Sequence, residues 1–199
     1  MRTIQSLLAL LFAIAVTGCA HPIVISPDIS KITVEADGNA RPIERNVGYY
    51  ISLAKRDSPV ETPGGGGDKV KYYPYREIET GFYSVLSNVF SDVTLLKSET
   101  DVEGIAQTDL AFIIIPEIVT DSSSPSMLTW PPTRFSVRLT CNIKDKNGNV
   151  VATPSVTGEG QAEFDEFKHD FSLSAKRAAL DALLKLQDAL LKTAELHAP

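Results

Sequence analysis

Apolar positions recur along this chain with three different periods, and each period predicts a different element. Residues 46–53 (NVGYYISL) and 93–96 read as strands, being short, rich in β-branched and aromatic residues and bounded by polar stretches. Residues 74–90 (PYREIETGFYSVLSNVF) read as a helix, because Ile78, Phe82, Val85, Leu86 and Val89 fall at helical spacing and form one stripe. Pro74 suits its first turn, where the missing N–H costs nothing. Gly81 weakens that helix by ~1 kcal/mol relative to alanine and suggests close packing on a sheet. Residues 109–119 (DLAFIIIPEIV) are almost wholly apolar, as a central strand is. Pro116 would break a ladder there, so it is expected at a bulge or where the strand becomes an edge.

Residues 134–145 (RFSVRLTCNIKD) alternate cleanly, with Phe135, Val137, Leu139, Cys141 and Ile143 on one face, which predicts a strand with one wet side. The Asn147-Gly148 pair then predicts a hairpin turn. Its returning strand, from residue 150 to about 164, is interrupted by Pro154, Gly158 and Gly160, and a bulge is expected there. A long helix closes the chain over residues 172–195. Ala175, Ala179, Leu183, Leu186 and Leu190 face inward, and Asp181–Lys185 and Asp188–Lys192 stand in the favourable i,i+4 order outside. Two stretches look irregular. Residues 21–30, broken by Pro22 and Pro27, read as a tether with weak strands at 23–25 and 31–34. Residues 55–71, with Pro59, Pro63 and four consecutive glycines, read as a mobile loop, since so little burial does not offset the entropy of ordering. Those glycines lack the Gly-Lys-Ser/Thr of a phosphate-binding loop.

Together these elements predict an α+β fold: a two-layer sandwich in which a largely antiparallel or mixed sheet carries two helices packed on one face. Residues 46–197 form its single domain, preceded by a tether over 19–45.

The N-terminus alters this picture. A short positive end at Arg2 leads to ten unbroken apolar residues, 7–16 (LLALLFAIAV). In a helix they span ~15 Å, half a bilayer core, so they read as the core of a signal peptide occupying residues 1–18 and not as a membrane span. The run ends in Val16-Thr17-Gly18-Cys19, which resembles the bacterial lipobox. That resemblance implies cleavage between Gly18 and Cys19, diacylglycerol on the Cys19 sulfur and acylation of the new amine. Ala20, standing where an aspartate would resemble an inner-membrane retention signal, points to the outer membrane with the domain facing the periplasm.

Charge removes several partners. The net charge is −6, and no stretch concentrates lysine and arginine, so nucleic acid and acidic membrane surfaces are poor partners. The two cysteines are Cys19 and Cys141. With Cys19 acylated, Cys141 has no disulfide partner and reads as a small buried side chain.

The order of elements, with the lipobox, resembles the YajG-like family of small outer-membrane lipoproteins. The matching parts are Gly18-Cys19-Ala20 followed by Ile25-Ser26-Pro27, the apolar strand at 109–118, the Asn147-Gly148-Asn149 hairpin, and Val156-Thr157-Gly158-Glu159-Gly160 leading to the last helix. The resemblance implies location and fold, with no catalytic residues to carry over.

Candidate chemistry is sparse. The histidines, His21, His169 and His197, have no metal-ligand spacing. Glu163, Asp165, Glu166 and Asp170 surround His169, as acids do in a solvated turn before a helix; a weak cation site is the sharper alternative. Ser84 is not in a nucleophile elbow. No cofactor, metal site or enzyme is expected. Two candidate contact surfaces remain. Tyr72, Tyr73 and Tyr75 interleave with basic residues in KVKYYPYR and either meet a glycan, lipid headgroup or protein or pack the entry to the helix. Met127, Leu128 and Trp130 stand in a Ser/Pro-rich stretch and either form a partner-binding site or cover one end of the sheet. Pro131, Pro132 and Thr129 offer little to pack against, which favours the surface role. The functional expectation is a non-catalytic, lipid-anchored periplasmic module that binds or helps assemble an envelope component. The alternative is a lipid or glycolipid carrier, or transporter auxiliary. These differ in whether an apolar groove opens between helices and sheet.

Overall fold

The computed structural model describes residues 20–33, 42–101, 105, 108–125 and 129–197. Residues 1–18, where a signal peptide is expected, Cys19, Met127 and Leu128 therefore lie outside the described residues. Among the described residues nine strands and four helices follow in order: β1 (Ala20–Pro22), β2 (Ile43–Tyr49), α1 (Leu53–Arg56), β3 (Val60–Pro63), β4 (Lys69–Tyr72), α2 (Pro74–Val89), β5 (Phe90–Leu95), β6 (Phe112–Ser123), β7 (Arg134–Asp145), β8 (Val150–Ala152), β9 (Ser155–Gln161), α3 (Phe164–Phe167) and α4 (Leu173–Lys192). Short 3-10 turns stand at Ile29–Lys31 and Ala194–Leu196.

The architecture is the expected α+β sandwich. A six-stranded mixed sheet runs β5-β2-β6-β7, with β8 and β9 both paired to β7. β2 is parallel to β5 and β6, and the remaining pairs are antiparallel. α2 and α4 lie side by side on one face. The core between the layers joins Ile78, Phe82, Val85, Leu86 and Val89 of α2 to Leu183, Leu186 and Leu190 of α4 and to Val47, Ile114, Val137, Leu139, Cys141 and Ile143 of the sheet. The inward set expected for β7 is buried at every position. On the opposite face, a small cluster of Leu96, Leu110 and Ile113 covers part of the sheet. Among the described residues, no helix is long and apolar enough to cross a membrane.

Glycine sets how closely the layers approach. A methyl group on Gly158 would overlap the backbone of Ala178 and Ala182, and one on Gly160 would overlap that of Ser174 and Ala178. The α4 face that meets them is Ser174, Ala175, Ala178, Ala179 and Ala182, all buried. Small residues on both sides let the helix backbone lie directly on β9. Gly81 performs the same role between helices, and here the sequence expectation needs correcting. It faces Leu183 of α4 and the side chains of Pro27 and Ile32, not a sheet.

Pro116 is tolerated because β6 is a central strand only at its start. β2 pairs with it from Phe112 to Ile114, and beyond that only β7 is paired, with Pro116 opposite Cys141. The interruption expected after the Asn-Gly turn is present at Pro154, but not at Gly158 or Gly160, which pair with β7 in unbroken register. Gly148 takes φ 86°, the register shifts at Ile143/Lys144, and Thr153-Pro154 separate β8 from β9.

Several boundaries differ from the sequence reading, three of them in the N-terminal part. β2 starts earlier and stops at Tyr49, because Ser52 caps α1 by accepting from Lys55 N at 3.2 Å. Residues 23–25 are not a strand, yet Ile23 and Ile25 are buried. Ile25 N donates to the Glu77 carboxylate at 2.7 Å, which replaces a ladder partner. Of the strand expected at 31–34, Lys31 instead closes a 3-10 turn, Ile29–Lys31, capped by Asp28, and residue 34 lies outside the described residues.

The expected loop at 55–71 is the largest departure. It contains the antiparallel hairpin β3–β4, which β1 extends in parallel to a second, three-stranded sheet. The hairpin is held by hydroxyl groups. Tyr72 Oη meets Thr62 Oγ1 at 3.2 Å and Thr120 Oγ1 of β6 at 2.7 Å, and Ser122 Oγ donates to Thr62 Oγ1 at 2.6 Å. Val70 and Tyr72 are fully buried beneath it. Buried polar groups that satisfy one another in this way specify one packing.

Candidate functional site

The candidate contact residues converge, in part, at the corner where the described chain begins. Ala20 pairs with Lys69, so β1 starts beside the glycine-rich turn that joins β3 to β4. In that turn Gly66 and Gly67 take φ 66° and 87°, and Gly64 N donates to Asp68 O at 2.8 Å. The turn is tied to the tryptophan segment, since Gly65 N donates to the Trp130 carbonyl at 2.9 Å. His21 stacks on the Trp130 ring, with centroids 4.3 Å apart and planes 24° apart, and its Nε2 lies 3.6 Å from Asp68. Phe171 also meets Trp130, with ring centroids 4.9 Å apart and planes tilted by 58°.

Trp130 is therefore half-buried, with neighbours from β1 and from the segment before α4. Pro131 and Pro132 are buried, contrary to the expectation that they offer little packing, and the Pro132 carbonyl accepts from Ser174 Oγ of α4 at 2.7 Å. The corner still presents apolar surface: Phe171 is 47% exposed and Val24, whose N–H donates to Ser172 Oγ beside it, is 52% exposed. Sequence reading put His21 in a tether and gave Phe171 no role. Their only signal is contact with Trp130, more than a hundred and about forty residues away respectively, and no local pattern carries that.

The tyrosines do not join this corner as a set. Tyr72 is 1% exposed and reaches no partner without unfolding the small sheet, which corrects its candidacy as a contact residue. Its ring meets Phe135 edge-on at 5.3 Å. Tyr73 and Tyr75 are half-buried at the entry to α2. Arg76 stacks over Tyr73 at 4.0 Å, Lys55 lies over Tyr75 at 5.1 Å, and Tyr75 Oη accepts from Ile118 N at 3.1 Å. They pack the helix entry and pin it to β6.

The acidic residues around His169 are each engaged. Glu163 and Glu166 form a reciprocal capping box on α3. Glu166 also pairs with Arg177 of α4 at 2.6 Å, and the guanidinium hydrogen bonds hold its carboxyl down at about 2. Asp165 pairs with Lys168 and Asp170 with Lys176, both at 2.8 Å. Among the described residues no three His, Cys, Asp or Glu side chains converge as a metal site. Cys141 is fully buried on β7, and desolvation pushes its thiol up to about 12, so it stays a neutral packing group. Of the surface depressions among the described residues, two, of 280 and 430 Å³, are lined chiefly by polar residues, while one of 240 Å³ sets Thr133 and Gln161 beside Phe164 and Phe167. The 280 Å³ depression includes Arg134, Ser136 and Glu159; the 430 Å³ one includes Glu44, Asn46 and Asp145.

No protein-family model matches the chain, and no curated protein matches its sequence. Solved structures do resemble it. A Xanthomonas campestris protein of the DUF330 family superposes with a TM-score of 0.53 at 10% identity, over 89% of this chain and 97% of that one. PelC from Paraburkholderia phytofirmans, a dodecamer, gives 0.48 at 13% identity over 77% and 91%. A minor lipoprotein from Acinetobacter baumannii gives 0.43 at 10% identity over 75% and 94%. The first of these likenesses shows a shared fold.

Proposed function

We propose that this chain is a non-catalytic lipoprotein of the bacterial envelope: exported, cleaved before Cys19, held by acyl chains at the outer membrane, and presenting its domain to a periplasmic partner that it binds or helps assemble. The anchor rests on the sequence from Val16 to Cys19. Each buried methylene contributes ~0.8 kcal/mol, so two or three acyl chains give durable attachment where one alone is marginal. The outer-membrane address rests on Ala20, and the YajG-like likeness of the element order agrees with it.

One observation favours a binding module over a lipid carrier. A carrier of this layered shape would hold its lipid between helices and sheet. Here that interface is closed by backbone contact, with Gly158 and Gly160 of β9 lying directly on Ala178 and Ala182 of α4. There is no space there for an acyl chain, and opening one would expose the alanine and leucine face that forms the core.

Crosslinking followed by pull-down from native envelopes tests the reading. Recovery of a discrete envelope protein in place of lipid is expected. Stoichiometric co-purifying phospholipid or glycolipid, with no protein crosslink, would overturn it in favour of a carrier.

A further inference from the structure

We infer that the corner around β1 is a membrane-seating face, in which Trp130 and Phe171 rest in the headgroup region of the phospholipid bilayer that holds the anchor. This rests on the acyl anchor at Cys19 proposed above.

The argument is one of reach. Consecutive Cα atoms are ~3.8 Å apart. Ala20, the residue after Cys19, is already paired to Lys69, His21 is stacked on Trp130, and Ile23 and Ile25 are buried in the core. The expected tether of some twenty-five residues is thus absent in its first part, and the lipidated residue stands one peptide from the folded sheet. Acyl chains that enter the bilayer at Cys19 bring the surface around Ala20 to the headgroups with them.

That surface has the chemistry of an interfacial contact. Tryptophan is favoured at headgroup depth, where its ring is apolar and its N–H wet. Trp130 stands on His21 with Phe171 beside it, and exposed Val24 adjoins through the Ser172 bond. The four glycines of the turn next to them carry no side chains to hold the surface away, and the turn's one side chain, Asp68, faces His21. Polar groups at the corner face one another: the His21 ring lies beside Asp68, and the ion pairs Lys69–Glu61 and Asp170–Lys176 match their charges. With net charge −6 overall, the contact is apolar and suits zwitterionic headgroups; it needs no anionic lipid.

Trp130 is the only tryptophan, so its emission reports this corner directly. The full-length lipoprotein, purified in detergent, is reconstituted into phosphatidylcholine vesicles with or without bromine in the acyl chains. Bromolipid is expected to quench emission at least two-fold, and raising salt from low to high is expected to leave that unchanged. A variant with twelve Gly/Ser residues inserted between Cys19 and Ala20 is expected to carry equal fatty-acid label and to cosediment with vesicles, but to lose most of the quenching. A second probe, F171W in a W130F background, is expected to repeat the pattern from the more exposed position. Labelled, vesicle-bound protein that bromolipid does not quench at either position would overturn the seating face and leave the anchor standing. So would equal quenching with the inserted linker, or a Trp130 that crosslinks to an envelope protein instead. Loss of both label and vesicle binding would overturn anchor and seating face together.

Discussion

Trp130 and Cys141 show how one side chain can carry a structural and a functional argument at once. Trp130 stacks on His21, touches Phe171 and packs against the main core, so truncation removes packing at all three places. W130A is expected to cost about 2 kcal/mol, in keeping with partial burial of a large aromatic. A denaturant melt measures this. A midpoint shift worth less than ~0.5 kcal/mol would mean the ring covers nothing. Cys141 makes a different prediction. Its thiol is pushed up to about 12 in the fold, whereas in the unfolded chain it ionises near the ordinary value of about 8.5. The unfolded state therefore releases its proton first, and stability present below that pH falls as pH rises through the alkaline range. Tyr49, also pushed to about 12 chiefly by burial, adds to the same loss from about 10 upward. C141A is expected to flatten the first part of the alkaline decline, and native Cys141 is expected to resist alkylation until the chain is unfolded.

At the scale of elements, the contact of α4 with β9 is the most constrained in the molecule. Opposite Gly158 and Gly160 stands helix backbone, not the end of a flexible side chain, so an added methyl group has nowhere to go without moving the helix. G158A and G160A are each expected to destabilise by ~1–3 kcal/mol, the usual range for overpacking, with a lower denaturant midpoint and an unchanged slope. An unaffected midpoint would show that the helix lifts off the sheet at little cost and would weaken the case against a lipid carrier. Short α3 is held to α4 by Glu166 and Arg177. Because the Glu166 carboxyl is held at about 2, its contribution is present above the ordinary carboxylate range and is lost as pH falls from about 4.3 toward 2. E166Q is expected to soften that acid limb of the stability profile only slightly, since the pair is exposed and screened.

For the whole molecule, the decisive residue lies just before the first strand. Replacing Cys19 by serine is expected to abolish fatty-acid labelling and leave the precursor uncleaved or the protein unanchored, because the acyl chains supply the attachment. Equal metabolic label in mutant and wild type would reject the lipoprotein reading. On a density gradient the wild-type protein is expected with outer-membrane markers, from Ala20. Migration with the inner membrane would reverse the sorting inference and make a transporter auxiliary more attractive.

The sequence by itself determined the elements whose information is local. The alternation of β7 appears in the structure with the same limits, Arg134–Asp145, because a period of two leaves only one face to bury. The stripes of α2 and α4, the Asn-Gly turn and the tolerance of Pro116 followed from side-chain spacing and backbone rules in the same way. Tertiary structure decided what depends on partners distant in the chain. Residues 55–71 counted as loop because proline and glycine dominate them, yet Thr62 and Tyr72 bond to Ser122 and Thr120, some fifty to sixty residues on. Residues 21–27 counted as tether because two prolines forbid a regular strand, yet Ile23 and Ile25 fill the core and Glu77 replaces the missing ladder partner. Local sequence leaves Trp130 either a surface or a covering role, and its neighbours His21, Gly65 and Phe171 all lie far from it in the chain. Local patterns record which face of an element is apolar; they do not record what will cover it, and at the Trp130 corner the cover comes from β1, a glycine turn and the approach to α4.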